Sequence, residues 1–486
     1  MKYITTRTEN AAGVESAVAI RNGIAPDGGL YLPESIPQLT GAEIKELQQS
    51  DYAALAAKVM SLFLTDYTYG ELLAAAEAAY SAEKFGGVPA PISKVGEDYF
   101  SELWHGPTCA FKDMALQVMP RLLSLALDKT GAREDAHILV ATSGDTGVAA
   151  LEGYKNVPRT RITVFYPANG VSDTQKRQMS TQEGENADVV AVRGDFDAAQ
   201  TGVKRIFASE SAAKRAAEEG CFLSSANSIN WGRLVPQIVY YVHACVRLRA
   251  EGELAEGEKL DIAVPTGNFG NILAAYIAKR MGMPIGRLIC ASNENNVLAD
   301  FINTGVYDRR RELKLTSSPS MDILVSSNAE RLLFLLFGAE RTRELMAELS
   351  SEGVYRLTQE ELAAVRADFD AGFATETEAF GAISGLFGKY GYLCDTHTAV
   401  AASVAQRYRT GNKMLVVSTA SPYKFAPAVL SALGAEVPSD GFEAIRALEE
   451  LTKVKAPETL VRLREKAVRF SRVVDPAEME KAVFAK

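Results

Sequence analysis

Lys112 is the residue whose surroundings most strongly suggest chemistry. It lies in the segment HGPTCAFKDMA, after the apolar Phe111 and before a run of helix-forming residues. A lysine that is partly removed from water at such a position has a lowered pKa, which favours the free amine that attacks an aldehyde. The alternative is a solvated surface lysine, the usual role of this residue type. Other segments of the chain must decide between these two interpretations.

A second segment has the composition of an anion site. It consists of Gly267, Asn268, Phe269, Gly270 and Asn271. Glycines let the backbone approach a phosphate, and the start of the following helix adds unpaired N–H groups and a positive dipole end. The segment is neither a P-loop nor a GxGxxG motif. An ordinary turn between a strand and a helix remains the alternative.

A third segment, SGDTG at residues 143–147, also lies between an apolar strand and a helical pattern. Ligands of parallel sheets bind at the carboxyl ends of the strands. The hydroxyl groups of Ser143 and Thr146, together with backbone amides, suit a carboxylate. The alternative is a capped helix start, with Ser143 or Asp145 as the N-cap residue.

Together these segments indicate chemistry with pyridoxal phosphate. That cofactor needs an imine-forming lysine, an anion site for its phosphate, a partner for its pyridine nitrogen and a pocket for the substrate carboxylate. Lys112, residues 267–271 and residues 143–147 are candidates for the lysine, the anion site and the carboxylate pocket. The combination predicts an enzyme of amino-acid metabolism.

The elements around these motifs predict an α/β fold. Apolar, strand-like runs lie at residues 138–141, 162–166, 189–192, 222–223, 261–264, 288–291 and 414–419. Helical segments separate them, the strongest running from Trp231 to about Arg249. Strands that are apolar throughout and alternate with helices indicate parallel sheets covered on both faces. Residues 41–85 and 320–410 show mainly helical patterns, and Thr68 with Glu71 predicts a capping box.

The chain has 486 residues, more than one hydrophobic core usually accommodates, so two or three domains are expected. We predict a small N-terminal domain at residues 1–90. An α/β domain at 91–250 carries Lys112 and the SGDTG segment. A second α/β domain at 251–486 carries the 267–271 loop and a helical insertion at about 320–410.

Composition excludes several classes of function. The net charge of −9 argues against general nucleic-acid binding, which favours basic surfaces. Five scattered cysteines without a CxxC pair indicate a reduced, cytoplasmic protein, and the four histidines show no metal-ligand spacing. No apolar run approaches the roughly 20 residues of a membrane helix, and the N-terminus has no apolar signal core.

The complete set of motifs resembles the threonine synthases, members of the pyridoxal-phosphate fold type II family. The motifs occur in that family's order over nearly the full length: GIAPDGGLY at 23–31, HGPTCAFKDMALQ at 105–117, SGDTG at 143–147, PTGNFGN at 265–271 and STASPYKF at 418–425. The resemblance implies two parallel-sheet α/β domains with the cofactor between them, plus the small N-terminal domain.

The resemblance also implies roles for residues near the cofactor. Lys112 is the Schiff-base lysine and general base, residues 267–271 hold the cofactor phosphate, and Thr419 hydrogen-bonds the pyridine nitrogen. Asp145 stands where relatives often have an asparagine beside the 3′-oxygen. A carboxylate next to a phenolate is unfavourable unless it is protonated or turned away, so the role of Asp145 stays open.

For the substrate, the resemblance makes Ser143 and Thr146 candidates for the carboxylate and Asn227, Ser228 and Arg233 candidates for the phosphate. The guanidinium fork of Arg233 matches phosphate oxygens, and a salt bridge on its own helix is the alternative. Many relatives have histidine where this chain has Ser421, so no histidine role is transferred there. His105 is expected to make a structural hydrogen bond. Cys109 is expected to be a buried small residue rather than a nucleophile.

The activity implied is conversion of O-phospho-L-homoserine and water to L-threonine and phosphate, by a monomer or homodimer. Two alternatives remain from the residues. The chain could be a pyridoxal-phosphate lyase that releases phosphate without adding water. It could also be a binding or regulatory protein that keeps the fold and has lost turnover, although the presence of Lys112 and of all the other motifs argues against this.

Overall fold

The computed structural model describes residues 1–485. The N-terminal part is a short antiparallel strand pair beside a layer of helices. Its elements are β1 (Tyr3–Thr5), α1 (Ser16–Asn22), β2 (Tyr31–Pro33), α2 (Gly41–Leu47), α3 (Tyr52–Phe63), α4 (Tyr69–Ala79) and α5 (Ala82–Phe85). Thr68 and Glu71 form the predicted capping box in front of α4, each side chain bonding the other residue's backbone N–H.

The next part of the chain alternates strands with helices, as predicted. Its elements are β3 (Ile92–Val95), β4 (Asp98–Glu102), α6 (Lys112–Leu116), α7 (Met119–Lys129), β5 (Asp135–Ala141), α8 (Asp145–Tyr154), β6 (Thr160–Pro167), α9 (Asp173–Ser180), β7 (Ala187–Val192), α10 (Phe196–Phe207), α11 (Glu210–Glu218), β8 (Cys221–Ser224) and α12 (Trp231–Ala250). Helix α12 is almost entirely buried and packs against α3, α6 and α7.

The remaining part carries the longer helices. Its elements are β9 (Leu260–Pro265), α13 (Gly270–Arg280), β10 (Ile285–Ser292), α14 (Val297–Thr304), β11 (Val306–Asp308), α15 (Ala329–Ser351), β12 (Val354–Arg356), α16 (Gln359–Asp368), β13 (Phe369–Phe373), α17 (Glu376–Tyr390), α18 (Thr396–Ala405), β14 (Lys413–Ser418), α19 (Ala426–Ala432), α20 (Gly441–Thr452), α21 (Glu458–Val461), β15 (Val473–Val474) and α22 (Met479–Val483). Short 3-10 helices lie at Pro319–Met321, Pro422–Phe425, Arg462–Glu465 and Pro476–Glu478.

Two sheets form the centre of the fold, and the parallel arrangement predicted from the apolar strands is confirmed. The smaller sheet has the order β15-β7-β6-β5-β8 and is parallel throughout. The larger sheet has the order β13-β10-β9-β14-β4-β3 and is parallel except for the edge pair β3–β4. Among residues 1–485, each helix is too short or too polar to span a lipid bilayer.

Strand pairing crosses the predicted domain limits. Strands β3 and β4 hydrogen-bond into the larger sheet, whose other strands follow residue 251, and β15 joins the smaller sheet beside β7. The division at residues 90 and 250 therefore stays a prediction. The segment 320–410 is mainly helical, yet it also contains β12 and the edge strand β13. The sequence FDAGF of β13 is short and contains Asp and Gly, so it gives little strand signal.

The carboxyl ends of β5, β9 and β14 face the predicted motifs. The SGDTG segment follows β5, the 267–271 loop follows β9, and Thr419 follows β14. Because β9 and β14 are neighbours in the larger sheet, the loops after them lie side by side. The backbone N–H of Phe111 donates to the carbonyl oxygen of Thr419 at 2.8 Å, which joins the Lys112 segment to the same edge.

Candidate active site

Lys112 is the first residue of α6, and its side chain lies in the protein interior, with only 10% of it exposed. Its Nζ lies 3.1 Å from Ser320 Oγ and 3.5 Å from Asp145 Oδ2. Burial lowers the pKa of the amine, while the carboxylate of Asp145 opposes that shift. The predicted desolvation of Lys112 is confirmed.

Asp145, the first residue of α8, has a carboxylate paired with a buried lysine. Its Oδ1 lies 2.6 Å from Nζ of Lys424 and accepts a hydrogen bond of 2.9 Å from Nε2 of Gln175. Burial favours the protonated acid, yet Lys424 and Lys112 together hold the pKa of Asp145 well below its usual range. Sequence reasoning considered a protonated or turned-away carboxylate, and the structure provides a neutralising lysine instead.

The SGDTG segment does not use its own polar side chains as the helix cap. Gly144, with φ of +145°, is the N-cap residue of α8, so the alternative with Ser143 or Asp145 in that role is wrong. The hydroxyl of Thr142 accepts hydrogen bonds from the N–H groups of Gly144 and Gly147 instead. Ser143 is exposed and Thr146 half-buried, so neither side chain is part of the hydrophobic core.

The 267–271 loop turns sharply into α13. Phe269 adopts left-handed backbone dihedral angles, with φ of +63°, and its ring is buried against Phe369. Oδ1 of Asn271 accepts hydrogen bonds from the hydroxyl groups of Tyr240 and Tyr241. The side chains of Phe269 and Asn271 therefore fix the loop. The N–H groups of the first turn of α13 are the donors that an anion would meet.

Ser320 connects the lysine to this loop. Besides lying next to Lys112, its Oγ is 3.4 Å from Asp145 Oδ2, and its carbonyl oxygen would be 2.8 Å from a Cβ placed on Gly267. Its N–H donates to Nε2 of His397, whose Nδ1 bonds Asp395 at 2.7 Å. Ser320 lies in a segment without a recognisable motif, and sequence reasoning missed it.

Three other residues named in the sequence analysis, His105, Cys109 and Thr419, lie in or near the site. Nε2 of His105 bonds Oε2 of Glu102 at 2.8 Å, as expected. Cys109 is buried, and burial raises the pKa of its thiol to about 11, so the nucleophilic thiolate is disfavoured. Thr419 is also buried, and its N–H lies 3.3 Å from the hydroxyl of Thr398.

Arg233, in the first turn of α12, carries a buried charge that lacks a carboxylate partner within residues 1–485. Its Nη1 donates to the carbonyl oxygen of Ala226 at 2.8 Å, and its Nε has no hydrogen-bond partner in the described chain. Burial lowers the pKa of Arg233 to about 10. The alternative of a salt bridge on this helix is wrong. Of the other phosphate candidates, Asn227 is exposed and Ser228 half-buried in the loop just before α12.

These groups fit pyridoxal phosphate. The buried amine of Lys112 is of the imine-forming type, and the loop at residues 267–271 presents backbone donors at a helix start. The unpartnered Nε of Arg233 is a further donor for an anion. Sequence reasoning found the lysine and the loops. It assigned no role to Lys424, although that residue lies in the STASPYKF segment.

Comparisons with known proteins agree with this site. The family model described as "Threonine synthase N terminus" matches residues 2–80, "Pyridoxal-phosphate dependent enzyme" matches residues 93–420, and "Threonine synthase, C-terminal" matches residues 398–483. The structure of pyridoxal-phosphate-bound threonine synthase from Brucella melitensis superposes with a TM-score of 0.89 at 36% identity, covering 99% of this chain and 98% of that one.

Two curated relatives show how far the similarity extends. Threonine synthase from Pseudomonas aeruginosa is 38% identical over 88% of this chain and 90% of its own length. Human threonine synthase-like 1 is 42% identical over 85% of this chain, but the match spans only 57% of that longer protein. The family models, the fold and the site agree. The chain belongs to the threonine synthase family of pyridoxal-phosphate dependent enzymes.

Proposed function

We propose that this protein converts O-phospho-L-homoserine and water to L-threonine and phosphate. The observation that carries the proposal is that Ser320 contacts both the buried amine of Lys112 and the loop before α13, while the charge of Arg233 acts on the same amine. A substrate with both a carboxylate and a phosphate, reacting on a phosphate-bearing cofactor, needs several such features. Family membership supports the same reaction.

Lys112 is proposed as the proton-transferring group. When bound, pyridoxal phosphate supplies a conjugated ring that withdraws electrons from the α-carbon of an amino acid. The Nζ of Lys112, whose pKa is lowered by burial, then removes the proton at Cα and also the proton at Cβ. Return of protons to Cγ and Cα, with addition of water at Cβ, balances the loss of phosphate from Cγ.

The remaining residues are proposed to bind and orient. The cofactor contacts are Lys112, Asp145, Gly267, Asn268, Phe269, Gly270, Asn271 and Thr419. The substrate contacts are Ser143 and Thr146 for the carboxylate, and Asn227, Ser228 and Arg233 for the phosphate. The buried guanidinium of Arg233, whose Nε has no hydrogen-bond partner within residues 1–485, supports the last assignment, because a dianion offsets the cost of its desolvation.

The setting of the reaction is part of the proposal. All five cysteines are free thiols and buried, which supports a reducing compartment such as the cytoplasm. The net charge of −9 supports a small-molecule substrate rather than nucleic acid or a membrane surface. A monomer or a homodimer is proposed as the active form.

A product assay tests the function. The purified holoenzyme is given O-phospho-L-homoserine, and phosphate, threonine, keto acid and ammonia are measured together. Equal amounts of phosphate and threonine support the proposal. Phosphate with keto acid and ammonia indicates a lyase that omits the addition of water, and absence of phosphate release overturns the substrate assignment. Lys112→Ala protein serves as the background control.

A further inference from the structure

Two buried lysines share the carboxylate of Asp145. Nζ of Lys424 lies 2.6 Å from Oδ1, and Nζ of Lys112 lies 3.5 Å from Oδ2. The side chain of Lys424 is completely buried, that of Asp145 is 4% exposed, and that of Lys112 is 10% exposed. Lys424 therefore makes the closer ion pair and has the less hydrated charge of the two lysines.

The contacts around Lys424 fix it on one side of the carboxylate. Its Nζ also donates to the carbonyl oxygen of Thr108 at 2.9 Å. Gln175 donates to the same oxygen of Asp145, Oδ1, that pairs with Lys424. Oδ2 is left facing Lys112 and the hydroxyl of Ser320. The two lysines thus meet opposite oxygens of one carboxylate.

Other charged groups near this trio do not replace Lys424. The charge of Lys424 also acts on Asp113 and Cys109, but both oxygens of Asp113 accept hydrogen bonds from Thr108 and the thiol of Cys109 bonds Thr459. On the other side, Arg233 acts on Lys112 as a like charge. Within residues 1–485, Lys112 and Lys424 are the cations that make ion pairs with Asp145.

We propose that Lys424 is a positioning residue, which neutralises Asp145 through Oδ1 and so leaves the amine of Lys112 only weakly held at Oδ2. The inference rests on the proposed function, in which Lys112 must accept protons. Without Lys424, the full charge of the carboxylate would act on Lys112 and stabilise its ammonium form. Lys424 also keeps Asp145 ionised and in a fixed orientation beside the lysine.

The test measures the protonation of Lys112 without turnover. The full-length protein, freed of cofactor, is labelled with trinitrobenzenesulfonate over a range of pH, and the modified peptide that contains Lys112 is quantified by mass spectrometry. In Lys424→Met protein the midpoint of labelling is expected to rise by about one pH unit or more. Lys424→Arg, which keeps the charge, is the matched control and is expected to retain the wild-type midpoint.

A second charge-removing variant keeps the test valid if Lys424→Met protein does not fold. Lys424→Gln removes the charge but can still donate to Thr108, and it is expected to move the midpoint in the same direction as Lys424→Met. Circular dichroism identifies the folded variants. An unchanged midpoint in a folded charge-removing variant overturns the inference. Because labelling uses no substrate, that outcome is distinct from failure of the wild-type enzyme to make threonine, which overturns the proposed function.

Discussion

The carbonyl oxygen of Ser320 lies 2.8 Å from the point where a Cβ on Gly267 would stand. This spacing is shorter than real Cβ contacts allow, so glycine at position 267 is required by the packing of a distant segment rather than by unusual backbone angles. The same Ser320 contacts Lys112 through its hydroxyl. A shift of Ser320 would therefore affect both the loop at residues 267–271 and the surroundings of Lys112.

Gly267→Ala is expected to displace the segment around Ser320 and weaken cofactor binding. Overpacking of this kind costs about 1–3 kcal/mol, and where that cost opposes cofactor binding the Kd for pyridoxal phosphate rises by about 5- to 150-fold. Equilibrium titration of the cofactor-free protein measures it. Gly381→Ala is the control, because a Cβ there meets no atom within 4 Å. Unchanged affinity in Gly267→Ala would show that the segment yields without cost.

Lys112→Ala is expected to lower turnover by roughly 10²–10⁴-fold or more, because the proton-transferring amine is removed. The fold should be retained, since the amine makes only a long ion pair of 3.5 Å with Asp145 and one hydrogen bond to Ser320. Product formation and circular dichroism are measured together. Lys214→Ala, at an exposed lysine, is the matched control. Full activity in Lys112→Ala protein without added amine would contradict the assignment.

Arg233→Met is expected to raise KM for O-phospho-L-homoserine by about ten- to a hundredfold, as for the loss of a charged hydrogen bond worth about 1.5–3 kcal/mol. Cofactor affinity should change much less. The free energy of unfolding should be equal or higher, because a buried and unpaired charge has been replaced by a similar apolar volume. Steady-state kinetics, cofactor titration and urea unfolding separate these effects. Equal losses of substrate and cofactor affinity would count against the phosphate role.

Asp113 is expected to make stability depend on pH. Burial raises its pKa from 3.8 to about 7, although both oxygens accept hydrogen bonds from Thr108. The folded state therefore binds this proton more tightly than the unfolded state does. The contribution to stability is complete below about pH 4 and is lost as the pH rises towards about 7.

Asp113→Asn should remove this component, which is on the order of a few kcal/mol. Urea unfolding at a series of pH values between 4 and 8 measures the slope for both proteins. Asp197→Asn, at an exposed position, controls for the change of charge. If wild type and Asp113→Asn lose stability in parallel over this interval, the proton is not bound at Asp113.

Much of the fold followed from local patterns. The apolar runs predicted β5, β6, β7, β9, β10 and β14, because strands buried on both faces of a parallel sheet consist almost entirely of apolar residues. Strand β13 was missed because it is short, lies at the sheet edge and contains Asp and Gly. Sheet membership of β4 and β15 was not predictable from periodicity, since it depends on pairing with strands far away in the chain.

The site was predictable where chemistry and motif coincide. Lys112 and the 267–271 loop could be named because their residue types suit an imine and a phosphate. Ser320 and Lys424 reach the site through tertiary packing. Ser320 lies outside every motif, and the STASPYKF motif that contains Lys424 does not show that this lysine pairs with Asp145. The role of Asp145 is the clearest example of what the sequence does not predict. Its protonation depends on a counter-ion that the local sequence around residue 145 does not contain.

The order of strands in the larger sheet has a consequence for how the protein is made. Strand β14 lies between β4 and β9, which are both synthesised long before it. Until residues 413–418 leave the ribosome, the edges of β4 and β9 that pair with β14 present unpaired backbone N–H and C=O groups. From the synthesis of β9 until that of β14, the nascent chain thus has two open edges, and chaperones that shield such edges should increase its yield.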